Sequence, residues 1–186
     1  MLKPNCTNAL EMQAPAKPYL VVTSHRANYN LGPMKRLQAF KYELMPNGEQ
    51  QRHMRQYAGC CRFVYNKALA LQKAHYEAGG QFIGYVAMAK HLTAWRHSTE
   101  SPWLKDAPVH PLQQKLKDLE RAYKNFFARR AAFPRFKKKS QSDNFRYPDP
   151  KQFKLDQGNS RIFLPKLGWL RYRTAERYWG ICARSR

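Results

Sequence analysis

Residues 133–148 read FPRFKKKSQSDNFRYP and set five cations, Arg135, Lys137, Lys138, Lys139 and Arg146, among Phe133, Phe136, Phe145 and Tyr147. Clustered ammonium and guanidinium groups are the chemistry that neutralises phosphates. The rings are expected to anchor the ends of the run by packing, with Ser140–Asn144 as a flexible turn. Just upstream, Lys117, Arg121 and Lys124 fall on one side of a helical pattern, opposite an apolar stripe. From Lys115 to Lys139 the chain carries ten basic residues and two acidic ones, Asp118 and Glu120, a net +8 over 25 residues. A charge run on one helix is commonly plain solvated surface. One sign sustained through a helix and the segment after it favours contact with a polyanion.

Other chemistries lack their residues. Metal-dependent phosphoryl chemistry needs convergent carboxylates, but the acids from Glu43 to Glu176 are scattered, with no D-x-D or D-D-E cluster, and Asp156 in the run D-Q-G-N has turn chemistry. There is no G-x-x-x-x-G-K-[ST] loop and no G-x-S-x-G elbow. Cys6, Cys60, Cys61 and Cys182 form no C-x-x-C pair, so reduced thiols are expected and neither a disulfide framework nor a zinc site. The six histidines show no ligand spacing. The chain therefore reads as a binder with no catalytic residue, metal or cofactor.

Composition agrees. In 186 residues, 34 Lys and Arg face 12 Asp and Glu, for a net charge of +22. That imbalance opposes compaction unless a polyanion offsets it, so nucleic acid is the first partner to consider and a membrane surface a distant second. No apolar run approaches the roughly 20 residues of a membrane span, and Leu20–Val22 is too short for a signal-peptide core. A cytoplasmic protein is expected. Hydrophobic residues at 43% suffice for one domain or two small ones.

These groups need elements to hold them. Residues 1–33, with Pro4, Pro15, Pro18 and Pro33, read as a loose leader containing one short extended piece at Tyr19–Thr23. Alternation from Leu37 to Leu44 predicts a strand. Asn47 and Gln50 have capping-box spacing and predict a helix start. Met54, Tyr57, Ala58, Cys61, Tyr65, Ala68 and Leu71 then repeat at helical spacing until Gly79–Gly80. A second helix fits Tyr85, Met88, Leu92 and Trp95. Val109, Leu112, Leu116, Leu119, Tyr123 and Phe126 make the stripe of a third. Short strands are expected at Asn144–Tyr147, Gln152–Leu155, Arg161–Leu164 and Trp169–Arg173. The order strand, helices, strands is α+β: a helical unit inserted in a small β-barrel or sheet.

From Met34 to about Arg173 the chain resembles the N-terminal part of the OrfB/TnpB transposon-encoded proteins. The resemblance is carried by KRLQAFKYELMPN (35–47), CRFVYNKALAL (61–71), LQQKLKDLERAYKNFF (112–127), FPRFKKKS (133–140), FRYP (145–148) and RIFLPKLGWLRYR (161–173). It implies a transposase of helix-turn-helix type related to RNA-guided DNA endonucleases. The implied architecture is a wedge-like β-barrel holding a helical recognition insert. It divides the chain into a non-family leader (1–33), a first barrel strand (34–47), a helical insert (48–132), a basic junction with returning strands (133–173) and a divergent tail (174–186). The implied partners are DNA and a structured guide RNA, with Tyr85 and Gln113 approaching a short DNA motif. The family's RuvC-like nuclease half should lie beyond Arg173, so the expectation is a truncated, non-cleaving fragment. A non-functional remnant or a generic basic RNA-binding protein is the alternative.

Overall fold

Gln50 N–H donates to Asn47 Oδ1 at 2.8 Å, and Asn47 N–H donates back to Gln50 Oε1 at 3.0 Å. This reciprocal cap satisfies two backbone donors and starts helix α1, Gly48–Glu77, where the spacing predicts it. The helix ends where Gly79 takes φ 78°, while Gly80 N–H reaches His75 O and Gly79 N–H reaches Tyr76 O, both at 2.9 Å. Glycine adopts that left-handed turn without penalty. The computed structural model describes the backbone of residues 10–13, 19–26, 36–141 and 143–173, and the side chains of those from 42 onward. Two compact units emerge, Arg52–Arg146 and the combination of Met1–Gln51 with Tyr147–Arg186.

The first of these is helical. Helices α2 (Tyr85–His97) and α3 (Val109–Phe127) follow α1, with a 3-10 turn at Pro102–Lys105 between them. Met54, Val64, Ala68 and Leu69 of α1, Met88 and Leu92 of α2, Leu104 of the turn, and Leu112, Leu116 and Leu119 of α3 are all buried. Each of these side chains other than Ala68 contributes about 1.5–3 kcal/mol. The stripe read from the sequence of α3 is thus its buried face.

The second unit is built on an antiparallel sheet. Its strands are β1 (Leu10–Gln13), β2 (Tyr19–Arg26), β3 (Arg36–Met45), β4 (Asn144–Tyr147, ending in this unit), β5 (Lys154–Asp156), β6 (Arg161–Leu164) and β7 (Gly168–Arg173). The spatial order is β4-β1-β2-β3-β7-β6-β5. The sheet is open, which corrects the barrel expectation. Closure requires the outermost strands to pair, and the outermost strands here are the short β4 and β5. Alternation in sequence marks strands but not which edges meet. Leu44, Ile162, Leu164, Leu170 and Tyr172 are buried, and Tyr147 Oη donates to Pro165 O at 3.0 Å.

Two expectations shift in detail. The stretch 1–33 contributes two strands instead of one extended piece, because β2 pairs with β3 from Tyr19↔Glu43 to Arg26↔Arg36, a long-range match invisible to local patterning. The strand expected at Gln152–Leu155 starts later. Pro150–Gln152 forms a 3-10 turn in which the Asp149 carboxylate accepts from Lys151 N–H. Among the described residues no helix is long and apolar enough to cross a membrane. Cys6 and Cys182 lie outside the described residues.

Candidate nucleic-acid interface

The basic run is a strap tied along α1. The Asn66 side chain grips the backbone of Lys137 twice: Lys137 N–H donates to Oδ1 at 2.8 Å, and Nδ2 donates to Lys137 O at 3.0 Å. Lys137 Nζ lies 4.3 Å from the centroid of the Tyr65 ring. Arg62 Nη1 contacts both Asp143 oxygens, at 2.7 and 2.9 Å. The Asp143 carboxylate in turn accepts from Ser140 N–H at 3.2 Å. Upstream, Lys73 Nζ sits over the rings of Phe133 and Phe136, 5.4 and 5.0 Å from their centroids. Phe133 also meets Tyr123 and Phe126 edge-on. Within the stretch expected as a flexible turn, Ser140–Asn144, Asp143 is held by Arg62 and Asn144 by Lys115. The anchoring rings divide: Phe145 and Tyr147 are fully buried, whereas Phe133 and Phe136 stay 39% and 49% exposed.

Outward from this strap point Arg135, Lys138 and Lys139. All three are exposed, and none has a side-chain hydrogen bond or ion pair among the described residues. Lys137 is half-buried on its ring, so it serves the tie more than the surface.

The second group lies on α3. Gln113, Lys117, Arg121 and Lys124 recur at spacings of four, four and three, one stripe of the helix. The three cations are exposed and Gln113 is half-buried. Lys117 Nζ stands 5.0 Å from the Tyr85 ring centroid, so the structure brings Tyr85 and Lys117 together. Arg121 and Lys124 are partly neutralised by Asp118 and Glu120, each at 3.3 Å. Glu120 also accepts the Tyr85 N–H at 3.3 Å. It supplies the helix cap that Gly84, lacking a side chain, cannot give α2.

Arg146 belongs to a different environment. Its Nη2 is 3.0 Å from Asp118 Oδ1, with both side chains mostly buried. The same carboxylate faces Lys115 Nζ at 3.9 Å, and Lys115 also donates to Asn144 Oδ1. Lys115 is only 5% exposed. Lys115 and Arg146 are therefore interior partners of Asp118 in a network that ties α3 to Asn144 and Arg146. Sequence reasoning missed Arg62, Asn66 and Asp118. Arg62 and Asn66 had a signal, polar residues four apart on the same helix as the apolar repeat.

Other reactive groups are spoken for. Cys60 and Cys61 are buried free thiols; burial pushes them up to about 11 and about 12. No group of three His, Cys, Asp or Glu residues able to hold a metal ion occurs among the described residues. Asp118, Glu120, Asp143 and Asp156 are each engaged with a cation.

Comparison with known proteins bears on this geometry. A helix-turn-helix domain model of the OrfB type matches residues 34–81, the span of β3 and α1. The chain is 62% identical over 148 residues, 80% of its length, to the Escherichia coli protein named “Putative RNA-guided DNA endonuclease InsQ”. The chain belongs to the OrfB/TnpB family. A second family relative, a “Putative RNA-guided DNA endonuclease” of Streptomyces pristinaespiralis, is 38% identical over 104 residues, 56% of the chain. The chain spans 36% of InsQ and 26% of the Streptomyces protein. It also matches 94% of the “Virulence protein VsdF” of Salmonella dublin at 33% identity over 112 residues, 55% of the chain.

Proposed function

We propose that this OrfB/TnpB-family chain binds nucleic acid without cutting it, through the strap and the basic stripe of α3. The observation that carries this reading is the strap itself. Its backbone is held by Asn66 and its end by Arg62, and it holds out three cations that have no ion pair among the described residues. Fixing those cations in advance lowers the ordering cost of binding. Arg135, Lys138 and Lys139 contact phosphates, and Lys117, Arg121 and Lys124 extend the contact along α3. Arg146 and Lys137 support the site from within. Tyr85 and Gln113 border the stripe and approach the edge of a DNA duplex. The names of the two endonuclease relatives suggest DNA and a structured guide RNA as the partners. The carboxylates act as counter-charges, which supports binding over metal-dependent cleavage.

The test is affinity against salt, by fluorescence anisotropy on a duplex and on a structured RNA. With about six phosphates contacted, log K against log salt should fall with a slope near −5 on duplex DNA and near −4 on single strands. The triple variant R135E/K138E/K139E should flatten the duplex slope by about 2–3. An unchanged slope in that variant overturns the reading. So does robust Mg²⁺-dependent cutting by the purified chain alone.

A further inference from the structure

We propose that the face of β5–β6–β7 that carries Phe163 and Trp169 is a stacking platform for an unpaired nucleic-acid strand, built from residues other than those of the strap and α3 and independent of the reading above. In β6 and β7 the residues alternate strictly. Ile162, Leu164, Leu170 and Tyr172 are buried, which turns Arg161, Phe163, Trp169, Arg171 and Arg173 to the other face. Pairing places Phe163 opposite Trp169, Arg161 opposite Arg171, and Lys154 of β5 opposite Phe163. One row across the three strands thus holds Lys154, Phe163 and Trp169, and the next holds Asp156, Arg161 and Arg171.

Three features separate this face from ordinary sheet surface. First, Trp169 is 44% exposed, and its ring lies 5.6 Å from that of Phe163 in an edge-on contact. Phe163 is half-buried beside it, so both rings keep part of their surface open. Second, the rings are held in place. The Arg161 guanidinium sits 4.6 Å over the Trp169 ring and is fixed by Asp156 at 2.8 Å. Asp156 is itself gripped by Asn159 Nδ2 at 2.9 Å. The Trp169 carbonyl accepts from Gln50 Nε2 at 3.0 Å. Third, Arg161 and Arg171 face each other directly, an arrangement that weakens an isolated sheet. Lys154 and Arg171 add charge of the same sign, Arg173 stands opposite Glu43 of β3, and Asp156 is already committed to Arg161.

A polyanion removes that repulsion, so charge complementarity selects the class of occupant. The rings select its form. Bases of a duplex are stacked on one another and show a protein only their edges, whereas an unpaired strand offers its π-faces to aromatic side chains. The geometry fits bases stacking on Trp169 and Phe163 while Arg171, Arg173 and Lys154 take phosphates.

The experiment measures anisotropy of labelled oligouridine and oligothymidine of roughly 12 nucleotides, within the span of known single-strand platforms, and of a duplex of the same length. Trp169→Ala should weaken either single strand about tenfold, the worth of one stacked base, and leave the duplex unchanged. Trp169→Phe, which keeps a ring, should retain most of the affinity. Arg171→Glu should reduce the salt slope on single strands by at least about 0.7, one phosphate's worth. Ultraviolet crosslinking of the unmodified chain to oligouridine, mapped by mass spectrometry, reads the same contact without any substitution and should label Trp169 or Phe163. Single-strand affinity unchanged in the Phe163→Ala/Trp169→Ala double variant overturns the proposal. So do crosslinks confined to the strap, or a sedimentation shift from dimer to monomer in Trp169→Ala with nucleic-acid affinity intact. The R135E/K138E/K139E variant separates the two readings: losing the strap leaves the Trp169-dependent single-strand increment in place.

Discussion

Arg129 occupies the turn after α3 with φ 55°. Its N–H reaches Phe126 O and the next N–H reaches Asn125 O, the same closing pattern that Gly79 makes after α1. Glycine is the favoured residue there, and a side chain in left-handed backbone costs about 1 kcal/mol. An exposed arginine kept at such a position fits phosphate contact better than stability. Arg129→Gly should therefore raise unfolding free energy by about 0.5–1 kcal/mol in urea melts, while reducing the duplex salt slope by about 0.9. The buried thiols give a second test. With Cys60 near 11 and Cys61 near 12 in the fold, both are protonated and shielded at neutral pH, so iodoacetamide should spare them until the helical unit unfolds. Their raised values also set a sign. The stability they contribute is complete below the unfolded value near 9.0 and declines as pH rises towards 12, so melts above pH 9 should show a falling midpoint. Asp118→Ala strands the buried Lys115 and the mostly buried Arg146 without their carboxylate and should cost about 1–3 kcal/mol. The outward cations were legible from charge and period alone. Asp118 was not, because Arg146, the residue that gives it meaning, reaches it from the far side of the strap in sequence.

At the level of elements, local pattern and long-range pairing part company. The three helices and the Asn47–Gln50 cap follow from spacing within the sequence, since a helix satisfies its backbone internally. The sheet order does not, because strands satisfy theirs with partners far along the chain, and so the open edge went unread. The strap is an intermediate case: its charge was visible, but its attachment depends on Asn66, 71 residues before Lys137. That attachment can be removed without touching any charge. Asn66→Ala deletes two part-buried hydrogen bonds, about 1–3 kcal/mol together. It should lower nucleic-acid affinity through lost preorganisation while leaving the salt slope unchanged. Anisotropy across a salt series distinguishes this from R135E/K138E/K139E, which changes the slope itself. A slope that falls in Asn66→Ala would mean that the tie positions the cations for contact and does more than order the strap.

For the whole molecule the dominant number is the net charge of +22. Self-repulsion of that size opposes the folded state and weakens as salt screens it, with a Debye length of about 10 Å at 0.1 M shrinking to about 3 Å at 1 M. The free chain should therefore melt at a higher temperature as KCl is raised from low to moderate concentration. A bound oligonucleotide acts in the opposite sense. At 100 times its Kd it adds about 2.7 kcal/mol to the folded state, worth roughly 5–11 °C in Tm, but salt raises that Kd steeply. The two curves should converge: Tm climbing with salt for the free chain, and starting high and falling towards it for the complex. A free chain whose Tm falls with salt would show that ion pairs such as Arg62–Asp143 and Arg146–Asp118 outweigh self-repulsion. The excess of cations would then be balanced inside the protein, and the case for a polyanionic partner would lose its thermodynamic footing.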